Sequence, residues 1–307
     1  LSLHDALPIW SNSWCAGCAR LLAKELMSRH SVELKTNDQI ILMRDAGLAT
    51  AAALREVRKA IKPGISTLEL DAIAEATIIA KGGHSNFKLV PGYSHTICAS
   101  INDEVVHGIP SANRILKAGD ILSIDCGAEI GEWNGDSAIT VIVPNEDGTQ
   151  VDSDLIRARQ TLSDVTEQSL WAGIAALANA TYLNEVGMAI EEYVYSQGNY
   201  GILEEYVGHG IGRSMHEDPA VYNFAVREKG FKVQPGLCVA IEPMVVSGSH
   251  RTKILKDGWT VSTKDGSDAS HWEHSVAVHD KGIWVLTAED GGAAKLAPLG
   301  IKPVPLS

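Results

Sequence analysis

Two apolar-alternating stretches, residues 121–126 and 137–143, flank a short turn-like segment at 129–134, and the pattern carries one aspartate on each side. In the first stretch Leu122, Ile124 and Cys126 share a face, the period of a half-buried strand. Asp125 lies on the opposite face, and Asp136 sits just before the second stretch. A hairpin centred between Ile130 and Gly131 puts Asp125 directly opposite Asp136, with β-carbons ~5 Å apart. Like charges so placed are destabilising unless a cation or a shared proton offsets them. Beside an apolar strand face a divalent metal is the more natural reason. A bulge or a shifted register would instead leave two ordinary surface carboxylates.

Around this hairpin the sequence predicts helices, then strands, then helices, then strands. Thr36 with Gln39, and Ser66 with Glu69, form capping-box patterns at two helix starts. Leu42, Ala46, Ala49, Ala53, Val57 and Ala60 recur at helical spacing until Pro63-Gly64 stops the run. The second helix reaches about Ala80, before Gly82-Gly83. Residues 152–196 read as two more helices, and short strands rich in Val, Ile and Gly follow to about Leu286. The repeated order suggests one α/β (α+β) domain of two similar halves. A Gly-, Ala- and Pro-rich tail, 291–307, is expected to be loose.

The N-terminus reads differently. Position 1 is not Met, and residues 3–9 (LHDALPI) match the translation of a common sequencing-library adaptor. Residues 1–26 are therefore expected to be foreign, with Met27 as the start, and 1–30 to be an extension outside the domain at 31–290. Cys15 and Cys18 mimic a Cys-x-x-Cys motif, but no β-α-β pattern surrounds them and no further zinc ligands lie nearby.

Composition excludes several classes. A net charge of −12 argues against a nucleic-acid binder, because phosphate recognition wants a basic face. No run approaches the roughly 18 apolar residues needed to span a bilayer. Five scattered cysteines do not form a disulfide framework and suit a reducing compartment, so the expectation is a cytoplasmic protein.

Three further segments carry chemistry-bearing residues. Residues 208–213 form a glycine-rich turn around His209, followed by His216-Glu217. This is neither a His-Glu-x-x-His helix nor a dinucleotide loop. Glu242 ends an apolar run and is held extended by Pro243, and Glu273 lies in a strand-like stretch between His271 and His274. Taken singly, each reads better as a structural histidine or a solvated charge than as a ligand.

Together, VVHGIP (105–110), SIDCG with Gly135-Asp136, GHGIGRSMHEDP (208–219), AIEPMV (240–245) and WEH (272–274) resemble the type I methionine aminopeptidases. Order and spacing agree from about Val32 to Leu286. The resemblance implies a pita-bread (creatinase/aminopeptidase-like) fold with two pseudo-symmetric halves and a central antiparallel sheet. It implies two divalent ions (Co, Mn, Fe or Zn) held by Asp125, Asp136, His209, Glu242 and Glu273, with Asp136 and Glu273 bridging. Two such ions can share and activate a hydroxide that attacks the peptide carbonyl. By the same resemblance Glu242 shuttles the proton to the leaving amine, His216 stabilises the oxyanion and His107 hydrogen-bonds the scissile amide. Phe87, Tyr93, Cys98, Met215, Met244 and Trp259 would line a methionine pocket suited to sulfur–aromatic contacts. Two departures touch that region. Leu89-Val90-Pro91 stands where a Gly-Tyr pair is frequent, and His271 replaces a frequent Gln.

The implied reaction is removal of the first methionine from nascent chains at the ribosome, by a monomer that touches neither nucleic acid nor membrane. Xaa-Pro-cleaving relatives carry a large N-terminal domain, for which the 106 residues before His107 leave little room. Type II enzymes insert a helical segment where only 25 residues separate His216 from Glu242. A non-catalytic binding relative, or a metal-free one using His as base, would have lost ligands that are all present here.

Overall fold

Thr36 starts the first helix by a reciprocal exchange. Its hydroxyl accepts from the Gln39 N–H at 3.3 Å, and the Gln39 side chain accepts from the Thr36 N–H at 2.8 Å. Ser66 and Glu69 repeat the device at the second helix. Two backbone donors that no intrahelical carbonyl could reach are thus satisfied at each start. A computed structural model describes residues 32–145 and 150–306 of the chain. The expected foreign segment 1–26, the extension to residue 30 and the Cys15/Cys18 pair lie outside the described residues.

The elements run α1 (Asn37–Ala60), α2 (Thr67–Ala80), β1 (His84–Ser85), β2 (Ile97–Ile101), β3 (Glu104–Val106), β4 (Ile121–Ile130) and β5 (Trp133–Ile142). The second half runs α3 (Ser153–Leu177), α4 (Asn184–Gln197), β6 (Gly201–Ile202), β7 (Gly208–Gly210), β8 (Glu217–Val221), β9 (Cys238–Ile241) and β10 (Met244–Val246). It ends with β11 (Thr252–Ile254), β12 (Val261–Thr263), β13 (Ala269–His271), β14 (His274–His279), β15 (Gly282–Val285) and α5 (Ala293–Leu296). Each half therefore packs a helix pair against antiparallel strands. The first sheet joins β1, β2 and β5 around the long β4, and the largest sheet of the second half has the order β15-β14-β9-β7-β8.

The buried stripe of α1 follows the expected spacing at Ala46, Ala49, Ala53 and Val57, and Ile40, Met43, Gly47 and Thr50 widen it, while Leu42 is 50 % exposed. Small residues mark where α1 crosses β5. A β-carbon on Gly135 would lie 2.5 Å from the Gly47 nitrogen, so only glycine permits this approach. Thr50 Oγ1 donates to the Gly135 carbonyl at 3.2 Å and fastens the crossing.

The β4–β5 hairpin forms, but its register differs from the one expected. Ile130 pairs with Trp133 across a two-residue turn, Gly131-Glu132, with Gly131 at φ 64°. Asp125 therefore faces Ala138, and Asp136 faces Gly127. The turn centre moved because glycine takes the left-handed position as the first loop residue. A two-residue offset preserves strand parity, so both aspartates still project from the same face as diagonal neighbours. On the other face Leu122, Ile124, Cys126 and Ala128 join Ala53, Val57, Leu70, Ala74 and Ile78 of the two helices in one core.

The C-terminal tail is also not loose. Leu296 is buried in the main core, the Val304 N–H donates to the Ile283 carbonyl at 3.1 Å, and Leu306 packs beside Trp284 against a further cluster. Its Gly and Pro residues shape turns over an apolar surface; composition alone does not reveal the packing. No described helix is long and apolar enough to cross a membrane.

Candidate metal centre and substrate pocket

The second half supplies its carboxylates from a shared break in two neighbouring strands. Ile241 pairs with His274 in one sheet, and Met244 pairs with His271 in another. The same antiparallel register on both sides of the break puts Glu242 opposite Glu273. Pro243 and Trp272 complete the bend, where the strands leave one sheet for the other.

The first half meets this break along β5. Ala138 and Glu273 exchange backbone hydrogen bonds of 3.3 and 3.0 Å. One step away, Ser275 Oγ accepts from the Asp136 N–H at 3.0 Å and donates to the Asp136 carbonyl at 2.8 Å. Ser137 Oγ donates to the Glu273 carbonyl at 2.6 Å. These contacts set Asp136 and Glu273 side by side. His209 completes a group whose ligand atoms, one from each residue, all lie within 4.8 Å of one another.

His209 sits in β7, where Gly208 and Gly210 allow close passage of neighbouring backbone. A β-carbon on Gly210 would lie 2.2 Å from the Asp218 carbonyl oxygen. His209 Nε2 lies 3.5 Å from Glu242 Oε1, while Nδ1 lies 2.9 Å from the Gly210 carbonyl oxygen. Burial lowers the pKa of His209 to about 3, so this contact is between a neutral imidazole and a carboxyl group, not an ion pair. With Nδ1–H directed to the carbonyl, Nε2 keeps a lone pair turned into the cage.

Asp125, Asp136, Glu242 and Glu273 are all pushed above the usual carboxylate range, first by burial. In Asp136 and Glu273, neighbouring carboxylates push further in the same direction. Asp125 Oδ1, Asp136 Oδ1 and Glu273 Oε1 are buried without any hydrogen-bond partner. Each would cost about 1–3 kcal/mol if left so. Four crowded carboxyl groups, a neutral imidazole and three orphaned oxygens are the donor set of a hard, oxygen-rich divalent-metal site.

His216 stacks edge-on to His209 with ring centroids 4.4 Å apart. His107 ends β3 at φ 60°, a left-handed conformation that costs a non-glycine residue of order 1 kcal/mol and marks a functional position. Its ring meets Tyr206 edge-on at 5.4 Å, and burial lowers its pKa to about 4.

Phe87, Tyr93 and Cys98 form a small apolar cluster, with Val90, Ile109, Met215 and Trp259 packed against it. Tyr93 lies 5.1 Å from Trp259 between ring centroids, and its hydroxyl donates to the Ile97 carbonyl at 2.7 Å. Cys98 pairs with Asp125 in the β2–β4 ladder, so the cluster abuts the carboxylate cage. Met244 does not belong to it. It packs with Val105, Val106, Leu203 and Val261, because β10 turns this side chain into a separate core. Sequence reading did not single out Val90 or Ile109 as pocket residues. Val90 sits beside the noted departure at 89–91, and Ile109 lies within VVHGIP.

Two pseudo-equivalent halves closed around a buried cage of four carboxylates and one neutral imidazole define a metallohydrolase of pita-bread architecture. The pattern of metallopeptidase family M24 matches residues 41–280. Methionine aminopeptidase 1 of Mycobacterium tuberculosis is 45% identical over 268 residues, which cover 85% of this chain and 97% of that relative. The crystal structure of methionine aminopeptidase from Thermotoga maritima superposes with a TM-score of 0.78 at 37% identity, covering 84% of this chain and all of that one. A prolidase from Pyrococcus furiosus, 19% identical with a TM-score of 0.64, shares the fold, covering 87% of this chain and 67% of that one. The chain belongs to metallopeptidase family M24 and, within it, to the methionine aminopeptidases.

Proposed function

We propose that the protein removes N-terminal methionine from nascent polypeptides, using residues 31–290 as its catalytic unit and two divalent ions in the cage. The observation that carries this reading is the meeting of Asp136, His209 and Glu273 beside the Phe87–Tyr93–Cys98 cluster. Asp136 and Glu273 would serve both ions, with Asp125 holding one and His209 with Glu242 the other. Divalent ions held there supply Lewis acidity and lower the pKa of water enough for attack on a peptide carbonyl near neutral pH.

The chain's own groups do the rest. Glu242 accepts the proton of the attacking water on its carboxylate and delivers it to the departing amine. His216, beside His209, donates to the oxygen that becomes negative, and His107 holds the scissile amide from its left-handed position at the end of β3. Phe87, Tyr93, Cys98, Met215 and Trp259 bind the methionine side chain. An unbranched thioether among three rings gains sulfur–aromatic contacts of about 1 kcal/mol each. Burial of the cluster excludes water from the reacting end of the peptide.

The setting we infer is a cytoplasmic monomer acting on chains as they leave the ribosome. The reading is supported by relatives that cover nearly the whole of their own length and carry the name methionine aminopeptidase. The test is methionine release from Met-Ala-Ser and from the control Leu-Ala-Ser by metal-reconstituted protein. Release from the first with little from the second supports the reading, and equal turnover of both contradicts the pocket assignment. No turnover of either, with Mn or Co supplied, contradicts the function itself.

A further inference from the structure

Lys35 stands just before the cap of α1, and its side chain is only 2 % exposed. Its ammonium donates to the Glu33 carbonyl at 3.0 Å and to Glu217 Oε2, a partner 182 positions away in sequence. A buried ammonium keeps its charge only where a carboxylate and further acceptors replace its water. Neither residue belongs to the metal cage or to the methionine cluster, yet Glu217 directly follows His216.

The backbone is shaped to admit this pair. A β-carbon on Gly212 would lie 2.4 Å from Lys35 Cε and 2.7 Å from both Lys35 Nζ and Glu217 Oε1. The last glycine of the turn around His209 therefore makes room for the lysine that passes over it. Gly236 holds the other end of Lys35, its carbonyl accepting from the Lys35 N–H at 2.7 Å. Lys35 is thus fixed at its backbone and at its tip.

Glu217 passes that fixity on. Its Oε1 accepts from the Ser214 N–H at 3.0 Å, three residues back, so the carboxylate closes a loop around Met215 and His216. Asn134, near the start of β5, pins the preceding residues. Its N–H donates to the Gly212 carbonyl at 3.0 Å, and its amide nitrogen donates to the carbonyls of Gly212 and Arg213 at 3.1 Å each. Met215 and His216 hang between these two pins, which keeps the His216 ring 4.4 Å from that of His209.

We propose that Lys35 is a positioning residue for His216, acting through Glu217 and so tying the segment before α1 to the chemistry. This rests on the role given to His216 above. With Lys35 made neutral, Glu217, 15 % exposed, keeps a charge without its partner and turns toward water. The Ser214 N–H is then released, and the loop no longer holds His216 toward the reacting carbonyl. Met215 shares the loop, so KM moves as well, and kcat carries the discrimination.

The test measures kcat for methionine release from Met-Ala-Ser by full-length, metal-loaded protein, with folding followed by denaturant unfolding and metal uptake by Co2+ titration. Lys35→Met, which keeps the length of the side chain and removes its charge, lowers kcat at least tenfold while Co2+ affinity stays within twofold. In a His216→Ala background the same substitution changes kcat less than twofold, because residues that act as a unit are not additive. The double variant Lys35→Met/Glu217→Gln strands no charge and guards against misfolding of the single one. It lowers kcat less, but still at least threefold, and again only where His216 is present. Wild-type kcat in both folded variants overturns the proposal. An equal fall with and without His216 also overturns it, and makes the pair a support of the fold alone. Wild-type turnover by His216→Ala overturns the role of His216 beneath it.

Discussion

Glu242 and Glu273 face one another where two neighbouring antiparallel strands break together, with Ile241–His274 paired on one side and Met244–His271 on the other. Like charges directly opposite are destabilising, more so when buried. The pair persists in the fold because the break is where the site is built, and the energetic consequence appears when metal is withdrawn.

Burial raises the folded-state pKa of Asp125 to about 7 and of Glu242 to about 8, and pushes Asp136 and Glu273 well above their usual range. The unfolded values lie near 4. The folded protein therefore holds more protons than the unfolded chain between these limits. Stability from this source is fully present below about pH 4 and is lost as pH rises through about 7 to 8. Metal-free protein should show a falling urea midpoint between pH 5.5 and pH 8, and added divalent metal at pH 8 should restore it. A midpoint that rises over this window in chelator would contradict the assignment.

The hydroxyl of Ser275 both accepts from and donates to the backbone of Asp136. Ser275→Ala leaves a buried N–H without its partner, at a cost of about 1–3 kcal/mol. It also frees the Asp136 backbone to shift. Denaturant unfolding should show the stability loss, and metal titration should show weaker binding. Unchanged metal affinity would mean that the serine supports the sheet without positioning the ligand.

Gly135 lies one residue before Asp136 and directly under α1, where a β-carbon would meet the Gly47 nitrogen at 2.5 Å. Gly135→Ala must push helix and hairpin apart. Overpacking of this kind costs about 1–3 kcal/mol, and a thermal melt of the metal-free variant should read it directly. Metal affinity should fall with it, because the aspartate moves with the strand.

Trp259 closes the apolar cluster against Tyr93. Trp259→Ala removes binding area that the substrate and the transition state use alike. KM for Met-Ala-Ser should rise about tenfold with kcat little changed, the signature of uniform binding. A large fall in kcat at constant KM would place Trp259 in the chemistry instead.

Much of this architecture is legible in the chain. Capping boxes at Thr36 and Ser66 announce both early helices because their donors and acceptors are local. Alternation at Leu122, Ile124 and Cys126 gives the correct strand face, and parity alone keeps Asp125 and Asp136 on one side. The register is not legible, since one glycine at φ 64° moves the turn centre without leaving a mark on the strand pattern. Met244 and the C-terminal tail mislead for a related reason. Met244 is drawn into a core with Val105, Val106 and Val261, and the tail packs on Ile283 and Trp284, contacts that local composition does not show. His271 is visible in the chain only as a residue out of pattern, and the lack of a hydrogen-bond partner among the described residues for its buried ring nitrogens emerges only in the fold.

Asp136 is the ligand on which metal binding and peptide hydrolysis both depend in the proposed function. Asp136→Asn should be assayed for methionine release from Met-Ala-Ser with Mn or Co supplied, alongside bound metal per chain. Turnover should fall at least a thousandfold, about 4 kcal/mol in transition-state stabilisation, together with fewer ions bound. Wild-type turnover by the folded Asp136→Asn protein would contradict that role.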